Sequence, residues 1–184
     1  SSLDFENMLR QHESSNANGT LGLWEVEDPT RFGIVGLDEN NFITRFKEKP
    51  KPEEVFSNLI NAGSYILEDC VFDIMPKGKH SLERDIFPQM AQRGELTGFP
   101  FQGYFIDAGT PQSWHQAIKC CIAEKRYKTG SVENGSWHAG DISSALNSMI
   151  GKGCTINGVV TESTVLDNVI IGEGSIINKC LIGN

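Results

Sequence analysis

The sequence predicts a mixed α/β domain followed by a short parallel β-helix, and three observations carry that reading. Helix-period and strand-period patterns interleave over residues 1–129. From about Gly130 to Asp141 the pattern loosens into a stretch bearing Gly, Ser and Asn. Beyond Met149 a short motif recurs: Ile150-Gly151-Lys152-Gly153 returns as Ile171-Gly172-Glu173-Gly174, and Ile182-Gly183-Asn184 begins it again.

The elements follow in order. Phe5, Met8 and Leu9 share one helical face, and Asp4 is placed to cap the first turn, so a short helix is expected over Asp4–Gln11, with Asn18-Gly19 ending the turn. Thr20–Val26 and Gly33–Leu37 are rich in β-formers. The turn Asp38-Glu39-Asn40-Asn41 then leads into Phe42–Phe46, which predicts a strand followed by a hairpin. Asn61–Leu67 is a further strand, and Asp69–Met75 is a helical turn ended by Pro76. Ser81 caps a helix through Arg93, with Gly94 where that helix stops. Short β segments are expected at Leu96–Phe101 and Tyr104–Ile106. Thr110-Pro111 then opens a helix to about Tyr127 with Trp114, Ile118 and Cys121 or Ile122 on one face.

This places a domain at residues 1–129, a linker at 130–148 and a β-helix at 149–184. In the last segment Ile150, Ile156, Val165, Ile171 and Ile177 recur about every six residues and point into a narrow core. The repeat stops part-way, so the β-helix is expected to be truncated.

The 184 residues carry 16 basic and 24 acidic side chains, a formal charge of −8, with 39% hydrophobic residues and ten Phe, which is enough to bury a core and unlike a disordered chain. No apolar run is long enough for a membrane span, so no membrane association is expected. The acidic balance, with scattered Lys and Arg, argues against nucleic acid as a partner but allows a small phosphorylated ligand. Five cysteines without a C-x-x-C pair suggest neither a disulfide framework nor a zinc site, and point to a reducing cytoplasm. The four histidines lack metal-ligand spacing.

Three clusters offer chemistry. In Phe46-Lys47-Glu48-Lys49-Pro50, Lys49 offers a point charge to a phosphate, and Glu48 can accept from sugar hydroxyls; alone, the run reads sooner as a solvated charged surface. In Asn61-Ala62-Gly63, the two small residues let a ligand approach the backbone and the Asn amide can both donate and accept, although a strand bulge gives the same pattern. Asp107, just ahead of Gly109 and a helix, can bind Mg²⁺ together with substrate phosphates, or simply help cap that helix. Gly33, opening a strand, is a weaker candidate.

Taken in order, Arg31-Phe32-Gly33, Phe46-x-Glu48-Lys49-Pro50, Asn61-Ala62-Gly63-x-Tyr65, Ser81-x-Glu83-x-x-Ile86-Phe87-Pro88 and Asp107-x-Gly109-Thr110-Pro111 resemble the sugar-1-phosphate nucleotidylyltransferases. Within them, Val55–Tyr65 and Ile86–Pro88 look most like mannose-1-phosphate guanylyltransferases. The resemblance implies the C-terminal part of a Rossmann-like nucleotidyltransferase domain joined to a left-handed β-helix of hexapeptide repeats. It implies transfer of a nucleotidyl group from a nucleoside triphosphate, GTP favoured, to a hexose 1-phosphate, mannose 1-phosphate favoured, with Mg²⁺ as cofactor. Glucose 1-phosphate with UTP or dTTP is the competing pair.

Carried onto this chain, the resemblance has Lys49 grip the sugar phosphate. Glu48, Asn61 and the backbone of Ala62 and Gly63 hold the hexose, Gly33 offers a backbone contact, and Asp107 binds the metal. Lys49 and Asp107 are thus the expected catalytic residues. The family's Gly-rich triphosphate loop and its first metal-binding aspartate are absent. Residue 1 is therefore expected to be internal to a longer protein, and the chain alone is not expected to be competent. A non-catalytic regulatory subunit and, on fold analogy, a hexapeptide-repeat acyltransferase are the remaining alternatives. The β-helix is expected to serve homo-oligomer assembly.

Overall fold

The computed structural model describes residues 1–126, 130–133, 135–138 and 145–183. The chain divides into two compact units, Ser1–Phe105 and Ile106–Asn184.

The first unit opens with α1 (Phe5–Ser15). Asp4 Oδ1 accepts from the N–H groups of Glu6 and Asn7, each at 3.1 Å, satisfying two donors that the first turn leaves free. Asn16, left-handed at φ 54°, ends the helix. Met8 and His12 face inward. The His12 ring places Nδ1 2.9 Å from Thr20 Oγ1 and Nε2 3.0 Å from Glu68 Oε1, and Thr20 Oγ1 lies 2.8 Å from Thr97 Oγ1, so a buried polar chain pins the helix to the sheet.

The sheet contains β1 (Gly19–Glu25), β2 (Gly33–Leu37), β3 (Ile43–Glu48), β4 (Leu59–Leu67) and β5 (Leu96–Pro100), in the order β3-β2-β4-β1-β5. The expected hairpin is present: Asp38 Oδ1 accepts from the N–H groups of Asn40 and Phe42, which closes the turn between β2 and β3. The mixed α/β class holds, but the parallel character expected of a Rossmann-like sheet is confined here to β1 beside β5; β1·β4, β2·β3 and β2·β4 are antiparallel. A turn of a few residues between β2 and β3 permits only antiparallel pairing, whereas β1 and β5 are far enough apart in the chain for a crossover.

Leu21, Leu23, Val35, Ile43, Phe87, Met90 and Leu96 form the sealed centre of this unit. Burying each such side chain contributes about 1.5–3 kcal/mol. The helix expected over 81–93 is split into a π-type turn, Leu82–Ile86, and α2 (Phe87–Gln92). Pro88 explains the split, since its missing N–H and its ring exclude a normal α-helical bond to Arg84; the Phe87 N–H instead reaches back to the Leu82 carbonyl. The helical turn expected over Asp69–Met75 is present as a 3-10 helix, Asp69–Ile74. No strand forms at Tyr104–Ile106. Tyr104 instead exchanges bonds with Ser2: its N–H donates to Ser2 Oγ and its carbonyl accepts from the Ser2 N–H, both at 2.9 Å.

The second unit contains α3 (Pro111–Ala123), opened by Thr110 Oγ1 accepting from the Ser113 N–H at 3.1 Å. The apolar face expected on α3 is not sealed: none of its residues is buried, and Cys121 is exposed. Short strands follow: β6 (Ser131–Glu133), β7 (Ser136–His138), β8 (Ala145–Leu146), β9 (Met149–Ile150), β10 (Thr155–Ile156), β11 (Val159–Thr161), β12 (Thr164–Val165), β13 (Ile170–Ile171), β14 (Ile176–Asn178) and β15 (Leu181–Ile182). They stack into three parallel ladders, β8-β11-β14, β7-β9-β12-β15 and β10-β13, with β6 antiparallel on β7. Of the aliphatics expected to point inward, Ile150, Val165 and Ile171 are buried, and Ile156 and Ile177 pack against them.

The units divide after Phe105, well before the boundary expected near residue 129, and part of the expected linker 130–148 is ladder. Trp137 pairs with Met149 and His138 with Ile150, and Ala145 pairs with Val160. A column of hydroxyls holds these rungs: Ser136 Oγ accepts from the Ser148 N–H, Ser148 Oγ from the Ser163 N–H and Ser163 Oγ from the Cys180 N–H, each at 3.0 Å. The residues just before the last three, Asn147, Glu162 and Lys179, are left-handed at φ 49°, 46° and 52°, so one corner geometry repeats. Gly-, Ser- and Asn-rich composition thus marks turns here as much as a linker. The helix end expected near Tyr127 and residues 139–144 of the linker lie outside the described residues.

Among the described residues no helix is long and apolar enough to cross a membrane. The five cysteines are free thiols.

Candidate functional site

The end of the β2–β3 ladder sets the first pair of site residues. Gly33 faces Glu48 across the two strands. A Cβ on Gly33 would lie 2.8 Å from Glu48 Oε2 and 2.7 Å from Phe46 Cζ, so only glycine lets this carboxylate lie against the neighbouring strand. Glu48 is half-buried. Burial pushes its pKa above the ordinary carboxylate value, Glu83 adds to the rise, and Lys49 and Arg84 oppose it.

Lys49 follows in the left-handed region at φ 45°, its N–H donating to the Phe32 carbonyl at 2.9 Å. A side chain there costs about 1 kcal/mol or more relative to an ordinary conformation. Its ammonium is exposed and has no ion pair among the described residues, whereas Lys47 Nζ lies 3.0 Å from Glu54 Oε1.

Asn61, Ala62 and Gly63 lie in a bulge of β4. Leu23 pairs with Asn61 and Leu21 with Tyr65, so Ala62, Gly63 and Ser64 stand opposite the single residue Gly22. The bulge reading holds, and the tip of the bulge is open, since a Cβ at Gly63 (φ 71°) would meet nothing within 4 Å. Asn61 is buried and spans the bulge, its Oδ1 accepting from the Gly63 N–H and its Nδ2 donating to Tyr65 Oη, both at 3.0 Å.

Tyr65, Glu83 and Ser81 complete the cluster, and the sequence alone does not single them out as site residues. The Tyr65 hydroxyl donates to Glu83 Oε1 at 3.2 Å and Ser81 Oγ donates to Glu83 Oε2 at 2.8 Å. Burial, with the negative charges of Glu83 and Glu48, pushes the Tyr65 hydroxyl up to about 12 despite the bond from Asn61. For Glu83, partial burial acts upward, but the bonds from Ser81, its own N–H and Tyr65, with the nearby Arg84 charge, outweigh it and leave the carboxyl below its ordinary value. The signal that could have found these residues was their place in the same ordered motifs, Tyr65 two positions after Gly63 and Glu83 two after Ser81.

The structure thus brings Gly33, Glu48, Asn61, Tyr65 and Glu83 into one neighbourhood with Lys49 at its margin. It combines two carboxylates, an amide, a phenol and an exposed ammonium, the groups suited to a polyol bearing a phosphate. Asp107 lies in the other compact unit, exposed, shortly before α3. Its carboxylate makes no hydrogen bond or ion pair among the described residues, which leaves its oxygens available to a hard cation. Among the described residues no group of three or more His, Cys, Asp or Glu is placed to hold a metal ion.

The family model for nucleotidyl transferases matches residues 1–124. The chain is 32% identical over 200 residues to a glucose-1-phosphate adenylyltransferase of Desulfitobacterium hafniense, covering 98% of this chain and 50% of that protein. It is 30% identical over 194 residues to the mannose-1-phosphate guanylyltransferase catalytic subunit beta of Drosophila melanogaster, covering 97% and 52%. It therefore spans about half the length of these curated relatives. A crystal structure of a Bacillus anthracis protein described as a glucose-1-phosphate thymidylyltransferase, in complex with sucrose, matches with a TM-score of 0.57 at 26% identity, over 71% of this chain and 52% of that one. The resemblance carried by the ordered motifs is met at the level of the family: the chain belongs to the nucleotidyl transferase family.

Proposed function

We propose that the protein transfers a nucleotidyl group from a nucleoside triphosphate to a hexose 1-phosphate. The observation that carries this is the joint placement of Glu48, Asn61, Tyr65 and Glu83 around the Gly33 strand end, beside the exposed ammonium of Lys49. A phosphate oxygen of the sugar phosphate attacks the α-phosphorus of the triphosphate and forms a new P–O bond. The bond from that phosphorus to the α–β bridging oxygen breaks, and its electron pair leaves with pyrophosphate. No protein nucleophile is needed, so positioning and charge neutralisation provide the catalysis.

In this reading Lys49 neutralises the sugar phosphate as a point charge, and Glu48 accepts from hexose hydroxyls. Asn61 contributes an amide that both donates and accepts, and the open backbone at Ala62 and Gly63 lets the ring lie close. Gly33 keeps the strand surface clear beside Glu48. Asp107 would hold Mg²⁺, which when bound neutralises phosphate charge. The second unit, with its stacked short parallel strands and recurring inward aliphatics, supports assignment as the start of a left-handed hexapeptide β-helix that serves assembly of like copies.

We favour mannose 1-phosphate with GTP, on the likeness of Val55–Tyr65 and Ile86–Pro88 to guanylyltransferases. The adenylyltransferase relative supports glucose 1-phosphate with ATP as the second reading. The test crosses mannose 1-phosphate and glucose 1-phosphate with GTP, ATP, UTP and dTTP on the full-length protein with Mg²⁺, identifying the nucleotide sugar by mass. GDP-mannose as the dominant product supports the favoured pair, another dominant nucleotide sugar replaces it, and no product from a folded protein overturns the activity.

A further inference from the structure

Tyr65 and Glu83 form a hydrogen-bonded chain with Asn61 whose direction is fixed at both ends. The Gly63 N–H can only donate, so the Asn61 atom facing it at 3.0 Å must be the carbonyl oxygen Oδ1. The amide nitrogen then faces Tyr65 Oη at 3.0 Å and can only donate to it. The tyrosine proton is left free to go to Glu83 Oε1 at 3.2 Å, where an ionised carboxylate can only accept. Glu83 is itself held at its other oxygen by Ser81 Oγ at 2.8 Å, and Ser81 Oγ accepts from the Arg84 N–H at 3.3 Å.

We infer that Glu83 is a positioning residue of the sugar subsite, acting through Tyr65 to fix which way the Asn61 amide points. This rests on the proposed function for its consequence in catalysis, though not for the orientation itself. With the chain intact, Asn61 keeps one N–H and one lone pair of Oδ1 uncommitted among the described residues, in a fixed geometry, for hexose hydroxyls. Without Glu83 the tyrosine proton loses its carboxylate acceptor and is free to turn toward Asn61. It then opposes the amide N–H, and a flipped amide would set N–H against the Gly63 N–H. The depressed pKa of Glu83 and the high pKa of Tyr65 agree with this polarity, because one group stays ionised and the other keeps its proton.

The test uses Y65F, E83A, E83Q and the Y65F/E83A double variant of the full-length protein. Y65F and E83A should each raise KM for the hexose 1-phosphate about tenfold while leaving KM for the nucleoside triphosphate within about twofold, the loss expected for one misplaced hydrogen-bonding group. E83Q should stay within about threefold of wild type, since its carbonyl can accept from Tyr65 and its amide can donate to Ser81 Oγ. The double variant should be no worse than Y65F alone, because both break one chain. An unchanged KM in folded E83A, an E83Q as impaired as E83A, or effects that multiply in the double variant would overturn the inference.

A second readout needs no substrate: proton exchange of the Asn61 side-chain amide, followed by NMR. It should be slow in wild type and E83Q and about tenfold faster in Y65F and E83A. Equal exchange in all four overturns the inference whatever the enzyme's substrate. Absence of turnover in wild type with protected Asn61 protons would instead sink the proposed activity alone. Y65F keeps its ring against Phe87, 5.0 Å between centroids, so the test remains readable if E83A fails to fold.

Discussion

Gly33 and Glu48 stand opposite each other on β2 and β3, so close that a methyl group on Gly33 would lie 2.8 Å from the Glu48 carboxylate. The strand surface at this point is shaped around the side chain of its neighbour. Gly33→Ala must displace Glu48 or the buried Phe46 ring. It should destabilise the protein by about 1–3 kcal/mol, the usual range for overpacking, and raise KM for the hexose 1-phosphate. Urea unfolding and steady-state kinetics on the same variant check both; an unperturbed KM would show that the Glu48 position does not matter to binding.

Glu48 gives a pH signature. Its folded-state pKa is raised above the ordinary 4.5, chiefly by burial, so between the two values the folded state binds more protons and stability falls as pH rises through that window. Above the folded-state pKa the penalty is fully present. Glu48→Gln should therefore melt higher than wild type at pH 7–8, with the advantage fading as pH falls to about 4, while hexose 1-phosphate binding weakens. Melting curves across that range would disprove this if the variant were less stable at neutral pH.

At Lys49 conformation and charge can be separated. Lys49→Gly and Lys49→Ala both remove the ammonium and should both raise KM for the hexose 1-phosphate strongly. The left-handed backbone favours Gly, so Lys49→Gly should be the more stable of the two by up to about 1 kcal/mol. Denaturant midpoints decide the second point independently of activity.

Asp107→Ala should abolish Mg²⁺-dependent turnover yet change stability by no more than about 0.5 kcal/mol, since its exposed carboxylate makes no bond among the described residues. A large fall in melting temperature would reveal a structural role instead.

In the second unit, Ser163→Ala removes the acceptor for the Cys180 N–H and the donor to the Thr161 carbonyl, bonds of 3.0 and 2.7 Å at a buried corner. A loss of about 1–3 kcal/mol is expected. A variant as stable as wild type would show that the hydroxyl column is dispensable.

Local signals were legible in the sequence and non-local ones were not. The Asp4 cap, the Asp38 turn and the inward Ile150, Val165 and Ile171 depend on residues close in the chain, and the structure places them as expected. The split of the 81–93 helix was in principle readable from Pro88. By contrast, setting β4 between β2 and β1 needs pairings between distant residues. So does the Tyr65–Glu83 bond, which joins residues eighteen positions apart, whereas the Asn61–Tyr65 bond spans only four. The segment around Ser136–His138 read as linker because its strands have pattern only when stacked on β9.

In the proposed reaction a sugar phosphate oxygen attacks the α-phosphorus. The measurement is to supply hexose 1-phosphate labelled with ¹⁸O in its phosphate oxygens, with unlabelled nucleoside triphosphate, Mg²⁺ and the full-length protein, and to weigh both products. All the label should be found in the nucleotide sugar and none in the pyrophosphate. Label in the pyrophosphate, or no nucleotide sugar from a folded protein with any of the triphosphates, would contradict it.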